Sequence, residues 1–288
     1  MFHSTIKIRK LGKQGMMPKF WINVLFIFLA SCVQNNPTHE IQIQNAQNEL
    51  ICLQFDEQED AVDKKLAVIQ HGLASNMEHP AVQATKKAFL DKGYSVITFD
   101  NRNSLGKSDG QVTDGRLSTY EEDLNTVVNW AKTQDFYGRP FVLAGHSLGG
   151  ASVLRYAAEH PDEVESLILI TPVVSGQKWE ESCMANMPDF CRKWKEKGEY
   201  EYRNAVIPYA VVEDTKSYDA LKFAAKIQSN VLLITADNDR VIAPKDVKEL
   251  NKAFAIPQKL EIIKHADHNF TGKQNRQDLY QSVIRFLR

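Results

Sequence analysis

Short apolar segments alternate with helical patterns along most of the chain. Runs of apolar and β-branched residues predict strands at 40–44, 49–55, 66–70, 95–99, 141–144, 167–170, 231–235 and 260–263. Between and after these strands, helical patterns predict helices at 80–92, 118–134, 148–160 and 277–287. Because most of these strands are short and apolar throughout, we expect an α/β protein with a mostly parallel sheet covered by helices.

The helix at 118–134 carries the clearest start signal. Ser118 and Glu121 have the spacing of a capping box, in which each side chain satisfies a backbone N–H of the first turn. This spacing predicts that Ser118 caps the helix.

One connection interrupts the alternation of strands and helices. Residues 173–229 are too many for a simple loop, and we expect them to fold as a small helical lid over the carboxyl end of the sheet. The segment is rich in aromatic residues, which could line a site or merely pack the lid on the core: Trp179, Phe190, Trp194, Tyr200, Tyr202 and Tyr209.

The N-terminal region has the layout of an export signal. Residues 1–31 contain five basic residues and no acid, and the apolar run at 20–30 is shorter than the ~20 residues that span a bilayer. The run ends in L-A-S-C, which resembles the bacterial lipobox and implies a lipid anchor on Cys32 in a cell envelope. We therefore expect a signal peptide at 1–31 and a tether at 32–39. A plain secretory signal or a short anchor is the alternative, and translation could also begin at Met16 or Met17.

Composition and charge limit the number of domains and the kind of partner. With 288 residues and 43% apolar composition, the chain can form one sizeable domain, which we place at 40–288. Beyond residue 31 it has 30 basic and 36 acidic residues, an acidic balance that argues against nucleic acid as a partner.

Three cysteines follow Cys32. Cys183 and Cys191 lie in the lid and could form a disulfide in an oxidising compartment, whereas Cys52 lies in a predicted strand and suits a small buried apolar residue. The sequence has no C-x-x-C pair and no H-E-x-x-H, so it does not indicate a metal site.

The segment Gly145-His146-Ser147-Leu148-Gly149 fits the motif G-x-S-x-G. A strand precedes it and a helix follows directly, which is the context in which this motif exposes a nucleophilic serine on a tight turn. The pattern therefore predicts that Ser147 is a nucleophile.

A serine nucleophile needs a base to accept its proton and a carboxylate to orient the base. Asp237 and Asp239 follow the strand at 231–235, and His265 and His268 follow the last strand. These candidates stand in the chain order serine, acid, histidine.

From about residue 60 to the C-terminus, and least in the lid, these segments resemble the α/β-hydrolase superfamily. The likeness is greatest to its lysophospholipase, monoacylglycerol lipase and serine aminopeptidase-like branch. The family's L-L-x-x-A-x-x-D-x-x-V implies Asp239 as the triad acid, with Asp237 as the alternative. Its A-D-H ending implies His268 as the base and leaves His265 a surface or supporting residue.

Two further segments carry the resemblance. His71-Gly72 resembles the family's H-G turn, which implies an oxyanion hole formed by the backbone N–H groups of Leu73 and Leu148. Residues 100–110 resemble D-x-R-G-x-G-x-S, a structural segment, although Asn103 stands where the family has glycine. We expect His146 to pack or support, with its side chain directed away from Ser147.

The resemblance implies hydrolysis of a small-molecule acyl ester or lipid through an acyl-enzyme on Ser147, without a cofactor. An aminopeptidase-like amidase is the alternative. It would need an anionic pocket for the substrate amine, for which the lid offers five acids: Glu180, Glu181, Glu196, Glu199 and Glu201. A non-catalytic lipoprotein that keeps the fold for binding is a third hypothesis.

Overall fold

The structure, a computed structural model, describes residues 38–58, 64–202 and 205–287. The predicted signal peptide, the lipobox Cys32 and the first six residues of the predicted tether lie outside the described residues. The last two tether residues, Thr38 and His39, already belong to the first strand.

In the described ranges the strands are β1 Thr38–Gln44, β2 Leu50–Asp56, β3 Leu66–Gln70, β4 Ser95–Phe99, β5 Phe141–His146, β6 Val164–Ile170, β7 Glu199–Tyr202, β8 Ala205–Pro208, β9 Asn230–Ala236 and β10 Lys259–Ile263. The α-helices are α1 Pro80–Asp91, α2 Leu117–Ala131, α3 Leu148–Glu159, α4 Gly176–Asn186, α5 Pro188–Lys197, α6 Ala210–Asp214, α7 Ala220–Ala224, α8 Pro244–Ala253 and α9 Lys273–Phe286.

Eight of the strands form one sheet in the order β1-β2-β4-β3-β5-β6-β9-β10. β1 pairs antiparallel with β2 and β2 with β4, while the other neighbours are parallel. The carboxyl ends of β5, β9 and β10 therefore meet at one edge, where polar residues that follow these strands can converge.

Both faces of the sheet are buried against helices. Successive residues of β3 alternate between two apolar clusters: Leu66 and Val68 pack on one face, Ala67 and Ile69 on the other. This alternation follows from the two-residue period of a strand, and burial on both faces explains why the central strands are apolar throughout.

The predicted strands are all present, most of them one to three residues longer than the pattern suggested.

The capping prediction for Ser118 is wrong. Helix α2 begins at Leu117, where the Thr119 hydroxyl accepts the N–H of Arg116 and a carboxylate oxygen of Asp214 accepts the N–H of Leu117. Helix α8 had not been predicted, because Val247 and Leu250 are its only buried apolar residues.

The lid, residues 173–229, is not purely helical as expected. It contains α4 to α7, but β7 and β8 form an antiparallel pair between α5 and α6. Glutamate and tyrosine alternate in Glu199–Tyr202 as a strand requires, and the tyrosines are the less exposed pair.

Asn103, which stands where the resembled family has glycine, has a backbone conformation typical of glycine. Its φ of 56° lies in the left-handed region, which asparagine tolerates better than most residues. Its Oδ1 accepts the N–H of Gln111, and nearby Asp100 accepts the N–H groups of Met77 and Lys107. The segment is thus held by hydrogen bonds to its own neighbours.

Candidate active site

Ser147 lies on a strained turn between β5 and α3. Its φ is 54° and its ψ is −117°, a conformation that side-chain-bearing residues rarely adopt. The backbone is held there because the N–H of Ser147 donates to Ile170 O at 2.9 Å and its carbonyl accepts the N–H of Val173 at 3.1 Å. Neighbouring strand β6 and the residues after it therefore fix the turn.

The two glycines of the motif are required by close backbone contacts. A Cβ on Gly149 would lie 2.4 Å from the carbonyl oxygen of His71, and one on Gly145 would lie 2.4 Å from that of Gly149. Both distances are far below van der Waals contact, so no other residue fits without movement of the backbone.

A chain of hydrogen bonds joins Ser147, His268 and Asp239. Ser147 Oγ lies 2.9 Å from His268 Nε2, and His268 Nδ1 lies 2.8 Å from Asp239 Oδ2. Since the Asp239 carboxylate can only accept, Nδ1 carries the proton and Nε2 is left to accept the serine hydroxyl. This is the protonation state that a general base needs.

Asp239 is better placed than the alternative acid. It is 5% exposed, and its second oxygen accepts the N–H groups of Val241 and Ile242 at 2.8 and 2.9 Å. Asp237 is exposed and lies 3.7 Å from Lys264. His265 is also exposed, and no hydrogen bond joins it to Ser147 or Asp239.

His146 supports the loop that carries His268. It is buried, and its Nε2 lies 2.9 Å from the carbonyl oxygen of His268, so this nitrogen carries the proton. Burial lowers the pKa of His146 well below its usual value, which keeps the ring neutral. Its other face stacks on His79, with ring centroids 4.7 Å apart. No pattern in the sequence indicated the contact with the His268 carbonyl.

Two backbone amides near Ser147 have no acceptor among the described residues. In the residues that the structure describes, neither the N–H of Leu73 nor that of Leu148 donates a hydrogen bond. Leu148 is the first residue of α3, where helix geometry leaves N–H groups unpaired and the helix dipole favours negative charge. An amide without an acceptor is free to donate to a ligand, so this pair is the candidate binding site for an oxygen anion.

A cavity of about 700 Å³ lies between Ser147 and the lid. Its floor includes His268 and Leu73, and its lid side is largely apolar and aromatic: Trp179, Met187, Phe190, Trp194, Tyr200, Tyr202 and Ile207. Cys183 also lines it, and a disulfide joins this residue on α4 to Cys191 on α5.

The five lid acids lie outside this cavity. Hydrogen bonds from Lys195 and Tyr209 lower the pKa of Glu180 to about 2, and Lys216 lies 3.0 Å away. The negative charge of this carboxylate is therefore already paired with cations of the lid. The other four are exposed: Glu181, Glu196, Glu199 and Glu201. Of the acidic residues described, only Glu78 lines the cavity, and it is exposed.

Comparison with known proteins agrees with this architecture. A family model described as the alpha/beta hydrolase fold matches residues 67–200. The chain is 28% identical over 257 residues to an uncharacterized 31.7 kDa protein of Escherichia coli from the traX-finO intergenic region, covering 76% of this chain and 88% of that protein.

Two further similarities are more distant. The mitochondrial palmitoyl-protein thioesterase ABHD10 of Bos taurus is 22% identical over 223 residues, covering 74% of this chain and 69% of that one. The solved structure of Est1E from Butyrivibrio proteoclasticus with ferulic acid superposes with a TM-score of 0.72 at 21% identity, covering 86% of this chain and 97% of that one. Topology, family model and superposition together show that the chain has the α/β-hydrolase fold.

Proposed function

We propose that the protein is a serine hydrolase that cleaves carboxylic esters through an acyl-enzyme on Ser147. The observation that carries the proposal is the hydrogen-bonded chain of Ser147, His268 and Asp239 beside two unpaired amides. The fold supports it, since this arrangement lies at the carboxyl edge of the sheet, beneath a lid.

In the proposed mechanism each step has a group that performs it. His268 Nε2 takes the hydroxyl proton as Ser147 Oγ attacks the ester carbonyl, and Asp239 stabilises the imidazolium that forms. The N–H groups of Leu73 and Leu148 hold the negative oxygen of the tetrahedral intermediate. His268 then gives the proton to the leaving alcohol, which leaves the acyl group on Ser147. Water, activated by His268 in turn, releases the acid.

The cavity favours an apolar or aromatic acyl group. Its lid side is aromatic. The similar proteins include an enzyme named as a palmitoyl-protein thioesterase and Est1E, whose structure was solved with ferulic acid. An amine-recognising amidase has less support, because the lid acids face solvent or pair with cations and Glu78 is exposed.

Labelling of the full chain with a fluorophosphonate tests for the live nucleophile. We expect the wild type to be labelled and Ser147→Ala not to be. No labelling of the wild type would favour the binding hypothesis. p-Nitrophenyl acyl esters compared with aminoacyl arylamides then separate the two activities, and faster turnover of the arylamides would overturn the ester assignment.

We also propose that a lipid on Cys32 holds the enzyme at a membrane of the cell envelope. The support is the sequence of residues 1–32, which the structure does not describe. None of the helices within residues 38–58, 64–202 and 205–287 is long and apolar enough to cross a bilayer. Cys32→Ala should move the protein to the soluble fraction and abolish incorporation of labelled palmitate. A variant that stays with the membrane would contradict the anchor.

A further inference from the structure

A buried tyrosine on α2 reaches the turn beside the nucleophile. Tyr120 is fully buried, and its hydroxyl donates to the carbonyl oxygen of Gly72 at 2.9 Å. Gly72 lies against the nucleophile, because a Cβ built on it would be 2.9 Å from the Cβ of Ser147. The hydrogen bond therefore ends on the residue that precedes the unpaired amide of Leu73.

A second buried donor holds the same carbonyl. The N–H of Asn101 donates to His71 Nε2 at 2.9 Å, so this nitrogen must be unprotonated. The proton is then on Nδ1, which donates to Gly72 O at 2.7 Å. Burial lowers the pKa of His71 and so maintains the neutral ring that this arrangement needs.

The two donors fix the direction of one peptide plane. The peptide bond between Gly72 and Leu73 is trans, so its carbonyl and its N–H point in opposite directions. Because the carbonyl is held towards His71 and Tyr120 in the core, the N–H of Leu73 is turned the other way. Leu73 and Ser147 both line the cavity. An amide that is already oriented stabilises a developing oxyanion without reorganisation.

We propose that the Tyr120 hydroxyl is a positioning group for the oxyanion hole, acting through the carbonyl of Gly72 on the N–H of Leu73. This inference rests on the proposed esterase function. It assigns to α2 a part in transition-state binding, although Tyr120 does not line the cavity.

Tyr120→Phe in the full chain tests the proposal, because it removes the hydroxyl and keeps the ring. Loss of a whole oxyanion donor costs about 10²–10³ in kcat, so loss of one of two anchors should lower kcat roughly tenfold and leave KM unchanged. A trifluoromethyl ketone, which forms a tetrahedral oxyanion on serine, should bind roughly tenfold more weakly. Binding of the product acid should not change.

Tyr218→Phe is the matched control. Tyr218 is also a buried tyrosine whose hydroxyl donates to a backbone carbonyl, that of Ala151, and it does not line the cavity. We expect the two variants to have similar Tm values, with the loss of ketone affinity confined to Tyr120→Phe.

The outcomes separate the two proposals. If Tyr120→Phe matches Tyr218→Phe in kcat and in ketone affinity, or if it changes KM alone, the positioning role is wrong. A Tyr120→Phe protein too unstable to assay would also overturn it if Tyr218→Phe folds normally, since the hydroxyl would then be a folding determinant. Failure of the wild type to react with fluorophosphonate would instead overturn the esterase function itself.

Discussion

The floor and the lid of the cavity are held in place by different kinds of interaction. On the floor, backbone hydrogen bonds hold Ser147 and Asp239, each next to the end of a parallel strand. In the lid, a disulfide and side-chain contacts hold the cavity wall, such as the edge-on packing of Trp194 against Tyr209 at 5.2 Å. The catalytic residues of the floor can therefore stay in place while the residues of the lid change. We expect substitutions in the floor to alter kcat and substitutions in the lid to alter KM.

Removal of the base should have the largest effect. His268→Ala should lower kcat by up to about 10⁶, and Ser147→Ala with His268→Ala should be little worse, because the two side chains act as one unit. Steady-state hydrolysis of a p-nitrophenyl ester measures kcat for the single and the double variant. His265→Ala is the control and should behave as the wild type. Loss of activity in that variant, with His268→Ala still active, would show that the base is wrongly assigned.

Removal of the acid should have the next largest effect. Asp239→Asn keeps the shape of the side chain but cannot hold His268 in the required tautomer, so kcat should fall by about 10⁴ with little change in KM. Asp237→Asn, on the exposed residue beside it, should leave both constants unchanged. Equal losses in the two variants would mean that the strand end, rather than one carboxylate, supports catalysis.

The floor was largely predictable because its signals are local in sequence. The glycines around Ser147 mark a turn that allows no larger residue, and Asp239 and His268 lie in the short loops that follow β9 and β10. The role of Tyr120 could not be predicted. Helical spacing places it on the buried face of α2 with Leu124, but only the fold brings its hydroxyl to a carbonyl 48 residues away.

The lid was predictable only as an insertion. Its aromatic content indicated burial, yet the contacts that shape it join residues without a regular spacing, as when Trp194 Nε1 donates to the carbonyl of Ile207. Its strands β7 and β8 have four residues each, too few for the alternation in β7 to be distinguished from chance. Tertiary packing rather than local propensity determines this part of the chain.

The disulfide allows the lid to be loosened without touching the floor. Replacing both Cys183 and Cys191 with alanine should lower the free energy of unfolding by about 2–3 kcal/mol, as expected for a loop of this length. Fluorophosphonate should still label Ser147 at nearly the wild-type rate. Urea unfolding and labelling kinetics measure the two effects, with Cys52→Ala as the control. A large loss of labelling would show that the floor depends on the lid.

The smallest expected effect is on the preference of the enzyme for long over short acyl chains. Phe190 is half-buried, lines the cavity and packs edge-on against Tyr200 with ring centroids 4.6 Å apart. Phe190→Ala should raise KM for a decanoyl ester by up to about tenfold, because partial burial of an aromatic ring contributes about 1–1.5 kcal/mol. KM for an acetyl ester and kcat for both should not change.

Phe223→Ala separates this effect from general weakening of the lid. Phe223 is also a half-buried lid residue and stacks on Tyr218, but it does not line the cavity. Phe223→Ala should therefore leave the dependence of KM on acyl-chain length unchanged. If both variants raise KM equally for acetyl and decanoyl esters, the acyl chain does not contact the aromatic wall, and the leaving alcohol becomes the group that the lid covers.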